Sequence, residues 1–368
     1  MKKWILLLGT MLFFLVGCGG QSAESNPVEE ETAGQEMAVT EPTADTPQTL
    51  TLMSHDSFAI SEEVIKTFEE EHNAQIVLLP SGDAGATLNQ AILAQDNPLA
   101  DVFFGVDNTF MSRALDADIF VPYESPMLAE IDDALKLDSS HRLLPVDFGD
   151  VCLNYDIAYF EENGLLVPQS LDALTDPAYA DLLVVENPAT SSPGLAFLLA
   201  TIAQFGEDGY LDYWQALRDN GVLVVNGWED AYYGQFTVAS DGERPLVVSY
   251  ASSPPAEFIF ADPPVEAPPS ASITAPGTCF RQIEFVGILA GTQNEALAQA
   301  FVDYMLSVSF QEDIPLNMFV FPANTNAALP EAFVDWAQLS DQPAAVDPAL
   351  IEANREAWIE AWTSTVLR

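Results

Sequence analysis

Asp101-Val102-Phe103-Phe104-Gly105-Val106 is apolar along almost its whole length and lacks the alternation of a strand with one wet face. A run of this kind belongs in a sheet covered on both sides, the arrangement of α/β proteins. The segments before it agree. Thr49-Leu50-Thr51-Leu52-Met53 reads as a strand, residues 61–72 as a helix with Ser61 at its N-cap, residues 74–79 as a second strand and residues 86–95 as a second helix. Beyond it, residues 143–146 and 151–155 carry the chain through a crossover. A second strand-helix series then runs from residues 182–185 through Leu223-Val224-Val225 to Leu246-Val247-Val248-Ser249-Tyr250. A Pro-rich loop over residues 254–269 leads back towards a strand at residues 285–290. No repeat of fixed period is visible.

The ends of the chain add a location. Lys2 and Lys3 precede an apolar run over residues 4–16 that ends at Gly17-Cys18-Gly19-Gly20. This is the order of an export signal, and the run is shorter than a bilayer span requires. Leu15-Val16-Gly17-Cys18 resembles the bacterial lipoprotein signal, which implies cleavage before Cys18, lipidation of its thiol and a membrane contact through that anchor only. Residues 18–48 hold Glu24, Glu29, Glu30, Glu31, Glu36, Glu41 and Asp45 with no basic residue and almost no large apolar one, so they read as a disordered tether. The body of about 320 residues exceeds what one core usually serves, which points to two domains. The expected division is a first lobe over residues 49–150, a second over 151–270 and a return to the first, with C-terminal helices, over 271–368.

A net charge of -45, with eleven Lys and Arg, argues against nucleic acid or an anionic lipid surface as partner. With Cys18 assigned to lipid, Cys152 and Cys279 remain, and the sequence leaves open whether they form one disulfide or two buried thiols. There is no CxxC or HExxH, and His55, His72 and His141 are scattered, so no metal or other cofactor is expected.

In open α/β sheets ligands collect beyond the carboxyl ends of strands. The residues there are Ser54-His55-Asp56-Ser57-Phe58, Pro80-Ser81-Gly82-Asp83-Ala84-Gly85 and Gly105-Val106-Asp107-Asn108 in the first series. In the second they are Asn187-Pro188-Ala189-Thr190-Ser191-Ser192-Pro193-Gly194 and Ser249-Tyr250-Ala251-Ser252-Ser253-Pro254. Ser192 is placed to cap a helix with Pro193 at its first position. Between them, Asn226-Gly227-Trp228-Glu229-Asp230-Ala231-Tyr232-Tyr233-Gly234 follows a strand with three aromatics and two acids. If a helix starts after Gly227, Trp228 and Tyr232 share a face, as the wall of a site for a flat cation or as an ordinary core stripe.

Together, Asp56-Ser57-Phe58, Ala100-Asp101-Val102 through Asn108, Thr190-Ser191-Ser192-Pro193-Gly194-Leu195, Gly227-Trp228-Glu229-Asp230-Ala231-Tyr232 and Ser249-Tyr250-Ala251-Ser252-Ser253-Pro254 resemble, in order, the thiamine-binding proteins of bacterial ABC importers. The run from Ser309-Phe310-Gln311 through Pro315 and Met318 to Pro322 is similar to that family's C-terminal portion. The resemblance covers roughly residues 50–322. It implies a type II periplasmic-binding-protein fold, two α/β lobes with a hinge and a central cleft, and no catalysis. It also implies thiamine or its phosphates as ligand, a permease and ATPase as partners, and a monomer. Carried over, Trp228, Tyr232 and Tyr250 would meet the rings, Ser192 and Gly194 the hydroxyethyl or phosphate end, and Asp56 and Asp107 would face the cleft. Asp83 and Ser252 complete the expected set, and Asp56, Asp83 or Asn108 is expected to pair with the pyrimidine. The family's further Trp after the Asp-Ser-Phe turn is absent, with Ala59-Ile60-Ser61 in its place.

Two other classes use the same residues differently. A ferric-ion-binding protein of an ABC importer would employ Tyr232 and Tyr233 as phenolate ligands. A hydrolase would need Ser192 or Ser253 as nucleophile, yet no Gly-x-Ser-x-Gly elbow is present.

Overall fold

The computed structural model describes residues 46–368 of the chain. The export signal, Cys18 and the tether up to Asp45 lie outside the described residues. In chain order the strands are β1 (Gln48–Ser54), β2 (Ala74–Pro80), β3 (Val102–Asp107), β4 (Phe120–Val121), β5 (Leu144–Asp156), β6 (Leu183–Glu186), β7 (Leu223–Val225), β8 (Leu246–Tyr250), β9 (Ser270–Ile273), β10 (Phe280–Leu289) and β11 (Phe321–Pro322). They form one sheet ordered β2-β1-β3-β10-β5-β8-β6-β7, with β4 on β10 and with β9 and β11 on β5.

The ends of that order are two parallel blocks, and its centre is antiparallel. β1 runs parallel to β2 and β3, and β6 parallel to β7 and β8. β10 lies antiparallel to both β3 and β5, and β5 in turn antiparallel to β8. β5 pairs with β10 from Leu144 to Val151 and with β8 from Val151 to Tyr155, so one strand passes from the first block to the second at Val151. All six residues of β3 are buried, as expected of a strand covered on both faces.

Local chemistry accounts for the boundaries. Ser61 caps the helix Glu62–His72, its Oγ accepting from the Val64 N–H at 3.4 Å, and Asn73 closes it in the left-handed conformation. The next helix, Ala84–Leu93, starts two residues before its expected position because Asp83 caps it, Oδ1 accepting from the Ala84 N–H at 2.7 Å. β5 and β10 run longer than their apolar residues suggest. Arg281 and Asp150 oppose each other across them and form a bidentate ion pair, with Nε to Oδ1 at 2.6 Å and Nη2 to Oδ2 at 2.9 Å. Cys152 in β5 and Cys279, immediately before β10, are joined by a disulfide.

The first helix of the second block, Ser192–Asp219, consists of two helical segments that meet at Gly206, where φ is 71°. Its buried Trp214 packs edge-on against Trp362 of the C-terminal helix Pro348–Val366, with ring centroids 5.4 Å apart. Two turns earlier on the same buried face of that helix, Arg355 lies over the ring of Phe110, which follows β3. The C-terminal helix therefore touches both blocks.

Candidate functional site

A cleft of about 1040 Å³, counted with its open mouth, lies at the carboxyl ends of the strands between the two parallel blocks. One side is aromatic. A helix does begin after Gly227, spanning Trp228–Tyr232, and the i, i+4 spacing stacks the two rings with centroids 4.9 Å apart and planes 19° apart. The pair divides the two expected roles between its members. Tyr232 is 1% exposed and packs with Val184, Ala231, Phe236 and Val247, its hydroxyl donating to Glu257. Trp228 lies in front of it, fixed by an indole N–H that donates to Ser249 Oγ at 2.9 Å. Tyr250 stands across from Trp228 at 6.5 Å and 64°, its hydroxyl accepting from Gln282 Nε2 at 2.9 Å. Tyr233 is 51% exposed and meets Trp228 edge-on at the mouth.

The opposite side is acidic. Asp83 belongs to the first block but bonds to the second: Oδ1 accepts from the Ser192 N–H at 3.1 Å and Oδ2 from the Trp228 N–H at 2.9 Å. These N–H groups open two helices, so the carboxylate supplies from across the cleft the cap that Ser191 Oγ does not. Burial pushes the Asp83 pKa above its ordinary value, opposed by those hydrogen bonds. Gly227 fits this contact closely, since a Cβ there would lie 3.0 Å from Asp83 Oδ2.

Asp107 makes a second tie. It is fully buried and accepts from Ser192 Oγ, from Thr109 Oγ1 at 2.7 Å and from the Thr109 and Phe110 N–H groups at 3.0 Å. Burial raises its pKa to about 6 despite these bonds.

The floor is built from the crossover strands and the turn that follows β1. Glu284 of β10 lies opposite Asp147 of β5, and His55, just after β1, places Nε2 3.3 Å from Glu284 Oε1. Gly105 makes room for that imidazole. Its φ is +99°, and a Cβ would fall 2.3 Å from His55 Cδ2. Burial alone would depress the His55 pKa, but the charges of Glu284, Asp83 and Asp56 outweigh it and hold the imidazole above its ordinary value. Burial, reinforced by the charge of Glu284, keeps the Asp147 carboxyl well above the usual carboxylate range.

Of the residues expected from the sequence, Asp56, Asp83, Ser192, Trp228, Tyr232 and Tyr250 line the cleft. Asp107, Gly194 and Ser252 do not. Asp107 is occupied in holding Ser192. Gly194 is packed against β6, where a Cβ would lie 2.7 Å from the Glu186 carbonyl oxygen, so its small size serves helix-strand contact. Ser252 is fully buried, and its neighbour Ser253 lines the cleft instead, 3.0 Å from Ser249 Oγ. Ser192 is the first residue of its helix and Ser191 the N-cap, one position earlier than expected, because the Ser192 hydroxyl is directed to Asp107. Asn108 bonds to the backbone of β10 through Arg281 O at 3.1 Å and the Ile283 N–H at 3.0 Å, away from the lining.

His55, Glu284, Phe260 and Phe319 line the cleft without having been singled out as ligand contacts. Phe319 has a φ of 56°, a conformation that a bulky residue adopts at a cost, and its ring meets Phe260 edge-on at 5.8 Å. The available signal for Glu284 was an acid inside the apolar run Ile283-Glu284-Phe285-Val286, matched by Asp147 beside Val146.

Residues 97–342 match the family model described as "Bacterial extracellular solute-binding protein". The "Thiamine-binding periplasmic protein" of Escherichia coli (strain K12) is 30% identical over 326 residues, covering 87% of this chain and 94% of that protein. The protein of the same description from Brucella suis biovar 1 (strain 1330) is 28% identical over 339 residues, covering 89% and 95%. A solved structure described as "Periplasmic thiamin binding protein" superposes with a TM-score of 0.78 at 28% identity, covering 88% of this chain and 99% of that one. The sheet order, the two crossover strands and the cleft between the blocks are those of the type II periplasmic-binding-protein fold, and the chain belongs to the bacterial extracellular solute-binding proteins.

Proposed function

We propose that this protein binds thiamine outside the cytoplasm and delivers it to an ABC importer. The observation that carries the reading is the pairing of an aromatic wall with an acidic floor. Trp228, Tyr232, Tyr233 and Tyr250 face Asp56, Asp83 and Glu284 across a cleft whose lining, among the described residues, holds no Lys or Arg. A permanent thiazolium cation over an indole gains on the order of 0.5–2 kcal/mol, depending on desolvation. A neutral sugar would gain nothing from that term, and an anion would be repelled by the lining. The thiamine-binding descriptions of the relatives support the same ligand.

Within this reading Trp228 and Tyr250 hold the rings, Tyr232 backs Trp228, and Asp56 or Asp83 pairs with the aminopyrimidine. Ser192 stands at the hydroxyethyl end. The N–H groups of Ser192 and Trp228 that would receive a phosphate are already bonded to Asp83, so the phosphates of thiamine are expected to bind more weakly than thiamine itself. The site performs no catalysis. The lobes correspond to residues 49–150 with 271–368 and to residues 151–270. Cys18 carries the lipid that holds the monomer, by its acidic tether, at the outer face of the cytoplasmic membrane, where permease and ATPase subunits receive the ligand.

Iron binding through Tyr232 and Tyr233 fits less well. The Tyr232 ring is buried with its hydroxyl bonded to Glu257, and the two rings stand at 84° with Tyr233 half-exposed. One titration separates the readings. Thiamine should quench tryptophan fluorescence saturably, with thiamine mono- and diphosphate requiring higher concentrations, and Fe(III) should produce no phenolate charge-transfer band. The band without quenching would overturn the proposal.

A further inference from the structure

The cleft floor holds a charge contact whose place a cationic ligand can take. Glu284 is 6% exposed, lines the cleft and lies 3.3 Å from His55 Nε2, which is itself buried and has no hydrogen-bond partner of good geometry. Beneath it, Asp147 is fully buried with both carboxyl oxygens unpartnered. We propose that Glu284 is the anion that receives the thiazolium, and that His55 is its exchangeable counter-cation, so that ligand entry expels the His55 proton to solvent.

The surroundings leave His55 as the group that adjusts. Among the described residues every other titratable side chain near Glu284 is an acid or a phenol: Asp56 beside His55, Asp83 before the helix Ala84–Leu93, Asp107 at the end of β3, Asp147 on β5 and Tyr250 at the end of β8. On the second block, Glu229 is the next acid at the mouth. Arg355 of the C-terminal helix influences Asp107 from behind and does not line the cleft. Burial holds the Asp147 carboxyl well above the usual carboxylate range, so Glu284 is the acid of the facing pair that His55 meets as a counter-charge. A permanent cation docked on Glu284 would meet the imidazolium as a like charge in a site of low dielectric. Loss of the Nε2 proton removes that repulsion and leaves a neutral ring, held by Gly105 and Phe104, whose centroid is 5.4 Å away. The arrangement selects for cations, because a neutral ligand of the same shape leaves the His55–Glu284 pair intact.

The sign follows from linkage. Below the raised pKa of His55 the free protein carries the proton and the complex does not, so affinity falls as the pH is lowered, by up to about tenfold per pH unit, and levels off above that pKa. This inference rests on thiamine being the ligand, and the test keeps the two apart. Thiamine is titrated calorimetrically into wild type at pH 6.5 in buffers of different ionisation enthalpy. Net proton release, between about half a proton and one proton per thiamine, is expected, with none for an uncharged analogue in which thiophene replaces the thiazolium. His55→Gln should still bind thiamine but release no proton. The histidine resonances of wild type supply a measurement that needs no variant: the His55 pKa should fall by about one unit or more on saturation with thiamine. Binding of thiamine with no proton release, or with equal release by His55→Gln, would overturn this inference and leave the ligand assignment standing. Absence of thiamine binding would overturn both.

Discussion

The two sides of the cleft are made by opposite strategies. The wall of the second block is rings backed by more rings, and Trp228, whose ring lines the cleft, rests on a tyrosine that belongs to the core. The acidic side has no such backing. It is made of charged groups at strand ends and on the crossover strands, two of which meet groups from elsewhere in the chain: Asp83 accepts from helix N–H groups of the other block, and Glu284 lies in charge contact with His55. The wall is rigid because of local packing, whereas the floor exists only when distant segments are assembled. A change behind the wall should therefore cost stability first, and a change in the floor should alter the charge balance of binding.

Substitutions separate these effects. Tyr232→Ala is expected to be the most damaging, with a loss of about 4 kcal/mol in denaturant unfolding, because it empties a buried ring site and frees Glu257. A small loss of stability with abolished binding would show that Tyr232 is a ligand contact and not a support. Asp83→Ala removes the acceptor from three helix starts at once, and about 3 kcal/mol of stability should be lost together with at least about tenfold in thiamine affinity. If affinity changed alone, the link between the blocks would be energetically idle. Trp228→Ala should weaken thiamine by at least about tenfold, or 1.4 kcal/mol. Its cost in stability should stay near 1 kcal/mol, as the ring is only partly buried.

Glu257→Gln is the mildest change at pH 5. Burial lifts the Glu257 carboxyl from 4.5 to about 7, so the folded protein holds a proton there that the unfolded chain releases. Wild-type stability therefore declines on this account as pH rises from about 4.5 to 7. The variant should match wild type within about 0.5 kcal/mol at pH 5 and lack that decline, which paired unfolding curves at pH 5 and 8 would measure. Parallel curves would place the titration elsewhere.

The same contrast explains what the sequence disclosed. The wall was legible because its geometry is local: Gly227 followed by aromatics four residues apart dictates a stacked pair on one helical turn. The parallel blocks were legible too, since runs such as Val102 to Val106 have one reading. β5 was not. It appears as two apolar pieces separated by Asp147 and Asp150, and these acids sit within a strand only because Glu284 and Arg281 lie opposite them, more than 130 residues away. β10 was foreshortened for the matching reason, its first half being Arg281, Gln282 and Glu284. Smaller errors arose at turns. Ser252 and Ser253 are indistinguishable by composition, and the start of the next helix at Pro254 decides which of them turns inward.

The disulfide has a bearing on how the protein is made as well as on how it stands. Cys152 and Cys279 close a loop of 127 residues that encloses nearly all of the second block. In the chain-entropy view, closing a loop of that length stabilises the fold by between about 4 and 5 kcal/mol, a substantial share of what a domain usually possesses. That contribution is absent while the thiols are reduced and present once they are oxidised. A newly made chain in a reducing compartment therefore lacks that contribution and is easier to unfold. The covalent link between its crossover strands, added to their ladder and the Arg281–Asp150 pair, forms only on the oxidising side, where the cleft is put to use.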